Sequence, residues 1–300
     1  MPRLICALAA AILPAIPLAT PLAVAAAPAG GEVRATLSSV TPWESDTPGH
    51  GGYSGIEVTA DGRRFFALSD HGTLASGALD REGARLTGVG RTGLWPMADT
   101  AGAPVSMRLR DAEGLALASD GSLYVSFERD PRIWRYARPG ARPTALPRHP
   151  DFAGFNANGA LEALAITPDG TLLTMPEDPV AGRFPVYRFA DKRWSQPFAI
   201  PARGAFKAVE ADIGPDGRLY LLERRLAGPF GFATRVRRFT LGETALSGEQ
   251  TLVETRPGTH GNLEGLSVWR DPDGRTRLTM IADNNFLAIQ RSQIVEYVLP

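Results

Sequence analysis

The fold class this sequence predicts is all-β, a ring of repeated four-stranded antiparallel sheets, that is, a β-propeller. Three observations predict it. Asp111 to Asp130 alternates apolar and polar residues on both sides of Asp120-Gly121, the pattern of two half-buried strands joined by a tight turn whose glycine accepts a positive φ. The same design recurs from Ser54 through Glu113, Glu162, Glu210 and Glu264 in steps of 59, 49, 48 and 54 residues, a period that suits one blade. Helical periodicity is nearly absent, and neither GxGxxG nor a P-loop occurs.

In chain order, the five predicted hairpins turn at Asp61-Gly62, Asp120-Gly121, Asp169-Gly170, Asp216-Gly217 and Asp273-Gly274. Two further strand-like segments follow a hairpin, as in residues 132–136 with 143–146, or 184–189 with 196–200. After Glu264, 36 residues remain to Pro300, and 21 separate Val33 from Ser54, together one more step of 57 residues. Residues 293–299 and 33–40 are therefore expected to share a blade, closing the ring and removing its exposed edge. Five blades fit the count, within one domain over residues 33–300. A sixth is possible if a degenerate unit hides in the glycine-rich stretch 87–107.

Residues 1–26 read as a secretory signal peptide: Arg3, an apolar run from Leu4 to about Leu18, then Ala23-Val24-Ala25 as the cleavage site. A retained N-terminal anchor is the alternative. No later apolar run approaches the ~20 residues of a membrane span. The chain is thus expected in the periplasm or secreted, as a monomer. The sole cysteine, Cys6, falls in the leader, so thiol nucleophiles, disulfides and cysteine-ligated zinc are excluded from the mature protein. A formal net charge of zero gives no electrostatic footprint for nucleic acid.

Chemistry is expected at the hairpin ends opposite the turns. Antiparallel pairing brings Glu113 to Glu128, and by the same arithmetic Asp70 to Ser54, Glu177 and Asp178 to Glu162, Glu223 to Glu210, and Asp283 to Glu264. About ten acids then crowd one rim of the central channel, where like charges raise one another's pKa and call for compensation. Within the chain, Arg110, Arg129, Lys207, Arg224 and Arg225 could provide it; from outside, a hard divalent cation, calcium above all, matches an oxygen-only donor set. The candidate metal ligands are Asp70, Glu113, Glu128, Glu162, Glu210, Glu223, Glu264, Asp283 and Asn284. The plainer reading of these acids is that they fix loops or pair with arginines. Arg235, Arg237 and Arg238 read as a solvated strand face. His71, beside Asp70 at the rim, is a candidate acid or base, with His260 a second. Ser54 misses the nucleophile elbow, because its second glycine comes one position early.

DAEGLAL (111–117), FERD (127–130), NGALEALAITPDG (158–170), LLERR (221–225), NLEGLSV (262–268) and ADNNF (282–286) together resemble the phytase-like domain proteins, also called the esterase-like activity of phytase family. The resemblance spans roughly residues 51–300. It implies a secreted bacterial propeller, distantly similar to calcium-dependent β-propeller phytases, that hydrolyses phosphoric or carboxylic esters. Its motif positions here are Asp111, Glu113, Glu128, Arg129, Glu162, Glu223, Arg224, Glu264 and Asp283 to Asn285; the first unit departs from the pattern with Ser54. The expected function is calcium-assisted hydrolysis of a small-molecule ester, foremost a phosphate ester. Glu113, Glu162, Glu264 and His71 are the catalytic candidates, and Arg129, Arg224 and Lys207 would hold the anion. A sugar-lactone hydrolase with one metal on Glu264, Asp283 and Asn284 is an alternative, as is a non-catalytic binding propeller.

Overall fold

The computed structural model describes residues 33–156, 158–286 and 290–300; the leader expected over 1–26 lies outside them. Five four-stranded antiparallel sheets make up the fold. The strand β1 (Thr36–Pro42) precedes blade I, which holds β2 (Tyr53–Val58), β3 (Arg64–Ser69), β4 (Thr73–Glu82) and β5 (Arg85–Pro96). Blade II holds β6 (Ala112–Leu117), β7 (Leu123–Phe127), β8 (Arg132–Tyr136) and β9 (Thr144–Ala145). Blade III holds β10 (Leu161–Ile166), β11 (Leu172–Pro176), β12 (Arg183–Ala190) and β13 (Arg193–Pro201). Blade IV holds β14 (Lys207–Ile213), β15 (Leu219–Leu226), β16 (Phe232–Leu241) and β17 (Leu246–Glu254). Blade V holds β18 (Asn262–Arg270), β19 (Thr276–Asp283) and β20 (Gln293–Val298), and takes β1 as its fourth strand.

The first strands touch in sequence, β2 with β6, β6 with β10, β10 with β14, β14 with β18 and β18 with β2, so the sheets form a closed five-bladed propeller. Closure is as expected, with Thr36 opposite Val298 and Pro42 opposite Gln293. No sixth blade exists: the long first interval is taken up by the extended β4–β5 hairpin and by a loop closed by the bridge of Ala98 to Pro104.

The inner strands are buried along most of their length, β2 and β10 at all six of their residues, because both faces of every sheet meet a neighbouring blade. The core accordingly divides into five clusters, one per blade interface. Leu68, Leu115 and Tyr136 fill the junction of blades I and II; Phe152, Leu164 and Tyr187 serve II and III; Phe184, Ile200 and Leu221 serve III and IV. Tyr220, Leu266 and Met280 join IV to V, and Ile56, Phe65 and Trp269 join V back to I. The five Asp-Gly turns are all present, and in each only the glycine takes a positive φ, between 70° and 88°. In the turn of blade II the Asp120 carboxylate accepts the Ser122 N–H instead. Among the described residues, no helix is long and apolar enough to cross a membrane.

Candidate active site at the acidic mouth

One local irregularity builds the site. Every first strand slips register near its start, between Tyr53 and Gly55, Ala112 and Leu115, Leu161 and Ala163, Ala208 and Glu210, and Leu263 and Gly265. A β-bulge inserts an extra residue and re-aims its side chain. The residues at the slips are Ser54, Glu113, Glu162, Val209 and Glu264. Three glutamates are thereby presented at the channel mouth, where second strands arrive with Asp70, Glu128, Glu177 and Asp283. All seven acids line one cleft of about 300 Å³ with Asn158, Asn285, Lys207 and Arg224.

Glu210 does not belong to this mouth. The bulge in blade IV falls on Val209, so counting from Asp216-Gly217 places Glu210 one residue out of phase. Its fully buried carboxylate reaches across the axis and accepts the backbone N–H groups of Leu115 (3.1 Å) and Leu164 (2.9 Å), and that of Ala211 (3.0 Å). Where Glu210 stands, the other first strands have glycine or alanine, because they approach too closely for more; a Cβ on Gly265 would lie 2.6 Å from the Ile56 nitrogen. Glu223 is likewise no mouth residue. It is buried against Arg235 (2.7 Å) and Arg237 (2.6 Å), which turn inward to bond the Arg203 and Pro201 carbonyls of blade III. The strand face of Arg235, Arg237 and Arg238 is therefore buried, not solvated.

Asn284 also turns away from the mouth. Its Oδ1 accepts the Gly52 N–H at 3.0 Å and the Phe286 N–H at 3.1 Å. The neighbour Asn285 lines the cleft instead, in a left-handed conformation (φ 47°), with its N–H on Asp283. His71 stands at the rim, stacked on Phe286 at 4.1 Å with Asp70 3.9 Å away. His260 is buried inside blade V, its Nε2 bonded to the Tyr297 hydroxyl at 2.8 Å. Ser54 donates to the Ala112 carbonyl at 2.7 Å, a brace between blades I and II.

The mouth has two electrostatic halves. On the side of blades III to V, Arg224 pairs with Glu264 and with Glu177 (3.2 Å) and donates to Asn262 (2.9 Å), while Lys207 holds Glu177 (2.8 Å) and Asp178 (2.9 Å). Two of the three cations expected to hold substrate are thus engaged by carboxylates. On the side of blades I and II, Asp111, Glu113 and Glu128 each bring an oxygen within 4.8 Å of the others. Arg129 pairs with Asp111 at 2.7 Å, at an exposed edge of this group.

Titration behaviour follows the same division. Burial, then the charges of Glu162 and Glu128, push Glu113 well above the ordinary carboxylate range. Glu128 is raised to about 7 by burial and by Asp111, against the lowering bond from Gly159 N–H. Asp70 is raised to about 6 by burial and Asp111, and Asp283 to about 6 by burial and Asp70. Glu162 is raised by burial and Glu177, with Arg224 opposing.

Asp111, a motif position of the resemblance that was not among the expected ligands, joins Glu113 and Glu128 in this group. A second pair of channel acids, Glu57 and Asp212, was not singled out. They lie toward the opposite mouth, Glu57 accepting the Leu117 N–H (3.0 Å) and the Ser267 hydroxyl (3.0 Å), Asp212 the N–H groups of Val268 (2.6 Å) and Ile213 (2.7 Å).

Comparison with known protein families gives a match that spans most of the chain. The family model described as "Phytase-like: Esterase-like activity of phytase" matches residues 48–286. No curated protein matches. Among solved structures, a luciferin-regenerating enzyme is 12% identical over 87% of this chain and 94% of its own, with a TM-score of 0.49. An α-L-arabinofuranosidase from Podospora anserina is 11% identical over 90% and 97%, also at 0.49. Virginiamycin B lyase from Staphylococcus aureus is 15% identical over 88% and 74%, at 0.44. At these identities and scores the likenesses say nothing about chemistry.

Proposed function

For a chain that belongs to the phytase-like family, esterase-like activity of phytase, we propose calcium-assisted hydrolysis of a small-molecule ester, foremost a phosphate ester, at the acidic mouth. The protein would act in the periplasm or outside the cell, as the leader-like residues 1–26 suggest. One observation carries the reading: the convergence of Asp111, Glu113 and Glu128 in the half of the mouth that Lys207 and Arg224 do not neutralise.

The donor set fits a hard cation. Three carboxylates within reach of one another, with no thiol and no imidazole among them, offer the oxygen ligands calcium takes. Burial and neighbouring carboxylates raise the pKa values of Glu113 and Glu128, a charging cost that a bound divalent ion would relieve. When bound, such an ion supplies Lewis-acid polarisation of the ester oxygen and makes water easier to deprotonate. Asp70 and Asp283, both held near 6, border the triad and can accept a proton at neutral pH. Lys207 and Arg224 face the same cleft and can stabilise negative charge as it develops, with Glu177 and Glu264 fixing their positions. His71, held by Phe286, flanks the cleft beside Asp70 and is poised for proton exchange at its edge.

A single-metal site on Glu264, Asp283 and Asn284 finds no support, because Asn284 holds Gly52 and Glu264 is tied to Arg224. The test is cleavage of p-nitrophenyl phosphate and p-nitrophenyl acetate, with thermal melting, in calcium and in chelator. Calcium should raise the melting temperature and support turnover, and Glu113→Gln should lose both effects. If chelation changes neither quantity in the native protein, the metal-hydrolase reading fails.

A further inference from the structure

The cleft itself offers no apolar wall; every side chain that lines it is charged or an amide. Apolar surface lies immediately outside it. Among the described residues, seven large hydrophobic side chains are exposed, and two of these, Leu37 and Val40, belong to the outer strand β1. The other five are Met107, Val180, Leu226, Phe230 and Phe286. Met107 precedes the first strand of blade II, Leu226 ends the second strand of blade IV, and Val180, Phe230 and Phe286 follow the second strands of blades III, IV and V. First strands begin, and second strands end, at the acidic mouth, so all five stand at that one face.

Two of these knobs are held in place by their surroundings. Phe230 is 72% exposed and Leu226 63%, yet their loop is a built turn. Ala227 N–H bonds the Gly231 carbonyl (2.9 Å), and Gly258 N–H bonds the Phe232 carbonyl (2.9 Å), pinning the turn to the connection that leads into Glu264. Phe232, two residues on, lies 5.8 Å from the Arg224 guanidinium. On the other flank, Phe286 lies flat on His71 beside Asp70. Exposed aromatic and aliphatic groups fixed at the edge of a polar cleft cost solvation in the free protein and regain it only when apolar surface covers them.

We propose that the substrate is amphiphilic: a small polar ester head enters the acidic mouth while an alkyl or aryl group lies on the rim formed by Leu226 and Phe230. This rests on the ester-binding reading of the mouth and adds its specificity.

The experiment separates the two readings. Binding of methyl-, butyl- and hexylphosphonate, with calcium present, is measured by calorimetry on the native protein and on a Leu226→Ser/Phe230→Ser variant. Cleavage of p-nitrophenyl phosphate is measured in parallel. The native protein should bind hexylphosphonate on the order of tenfold more tightly than methylphosphonate, from partial cover of the added methylenes. The variant should lose that increment and keep its affinity for methylphosphonate. A flat chain-length series in the native protein, an increment that survives in the variant, or no binding of any phosphonate overturns the proposal. So does a variant that loses only flotation with phosphatidylcholine vesicles, which would make the rim a membrane contact. An intact chain-length increment without any cleavage refutes the hydrolase reading and leaves the amphiphilic rim standing; cleavage with a flat series does the reverse.

Discussion

Replacing Glu210 by alanine removes a carboxylate that ties three blades together at the axis. Its oxygens accept the N–H groups of Leu115 in blade II and Leu164 in blade III. Each buried donor left without a partner costs ~1–3 kcal/mol, so the two inter-blade donors together cost about 2–6 kcal/mol. Part of that is offset, because burial disfavours the ionised carboxylate and raises its pKa well above the ordinary range. The sign of the pH dependence follows. Below the unfolded pKa the neutral acid carries no ionisation penalty and alanine costs most; as pH rises, the native protein bears that penalty and the difference narrows. Urea titration followed by tryptophan fluorescence at pH 5 and pH 8 reads both quantities. A loss of about 2 kcal/mol or more at pH 5, equivalent to roughly 4 °C or more in Tm, with a smaller loss at pH 8, is expected. Glu210→Gln should keep the full Tm rise on calcium addition, because Glu210 lies outside the triad. A loss below about 0.5 kcal/mol at both pH values, small even for a surface change, would refute the role of Glu210 as an axial brace. Disappearance of the calcium effect in Glu210→Gln would return it to the metal site.

Three further outcomes follow from the same geometry. Because Asp70, Asp283 and Glu128 are raised to about 6, 6 and 7 without an ion, the ion-free protein should lose stability as pH rises from about 4 toward 7; calcium affinity should rise over the same range, and Asp70→Asn should flatten both curves in melting and isothermal titration. Arg237→Ala should cost about 3–5 kcal/mol in urea denaturation, since it uncovers the buried Glu223; a loss under 1 kcal/mol would show that Arg235 suffices. Deleting residues 292–300 strips β1 of its only strand partner and should yield aggregated or unfolded protein by size exclusion and circular dichroism, whereas a well-folded monomer would contradict closure by that strand.

Much of the fold was legible because the features that specify it are local. Asp-Gly turns and alternating apolar residues mark each hairpin, and the leftover lengths at the two ends announce their shared blade. The site was legible only by composition. A one-residue bulge decides which side chain faces the axis, and Val209 beside Glu210 gives no local sign of which of them it falls on. A single step along the chain separates Asn284 from Asn285, where left-handed φ angles at Asn285 and Phe286 accompany N–H bonds to Asp283 and Asn284 and the long-range bond from Gly52 N–H to Asn284. The burial of Arg235 and Arg237 depends on Glu223 and on carbonyls of the adjacent blade, partners that are distant in sequence. Neutralisation of half the mouth by Lys207 and Arg224 was foreseen as a possibility from their adjacency to the acids, and only side-chain placement shows which acids they leave free.

The pairing of β1 with β20 has a consequence for how the chain comes to its native state. Thr36 and Val298 are among the most widely separated partners the sequence allows, and blade V cannot be completed until both exist. During synthesis the strand made first must wait, unpaired, for the strand made last, while four blades can in principle assemble around an open gap. Such non-local pairing raises contact order and slows folding, and it leaves two unsatisfied strand edges exposed throughout the delay. The contact that secures the finished ring is thus also the one that sets the period during which the growing chain is most open to misassociation.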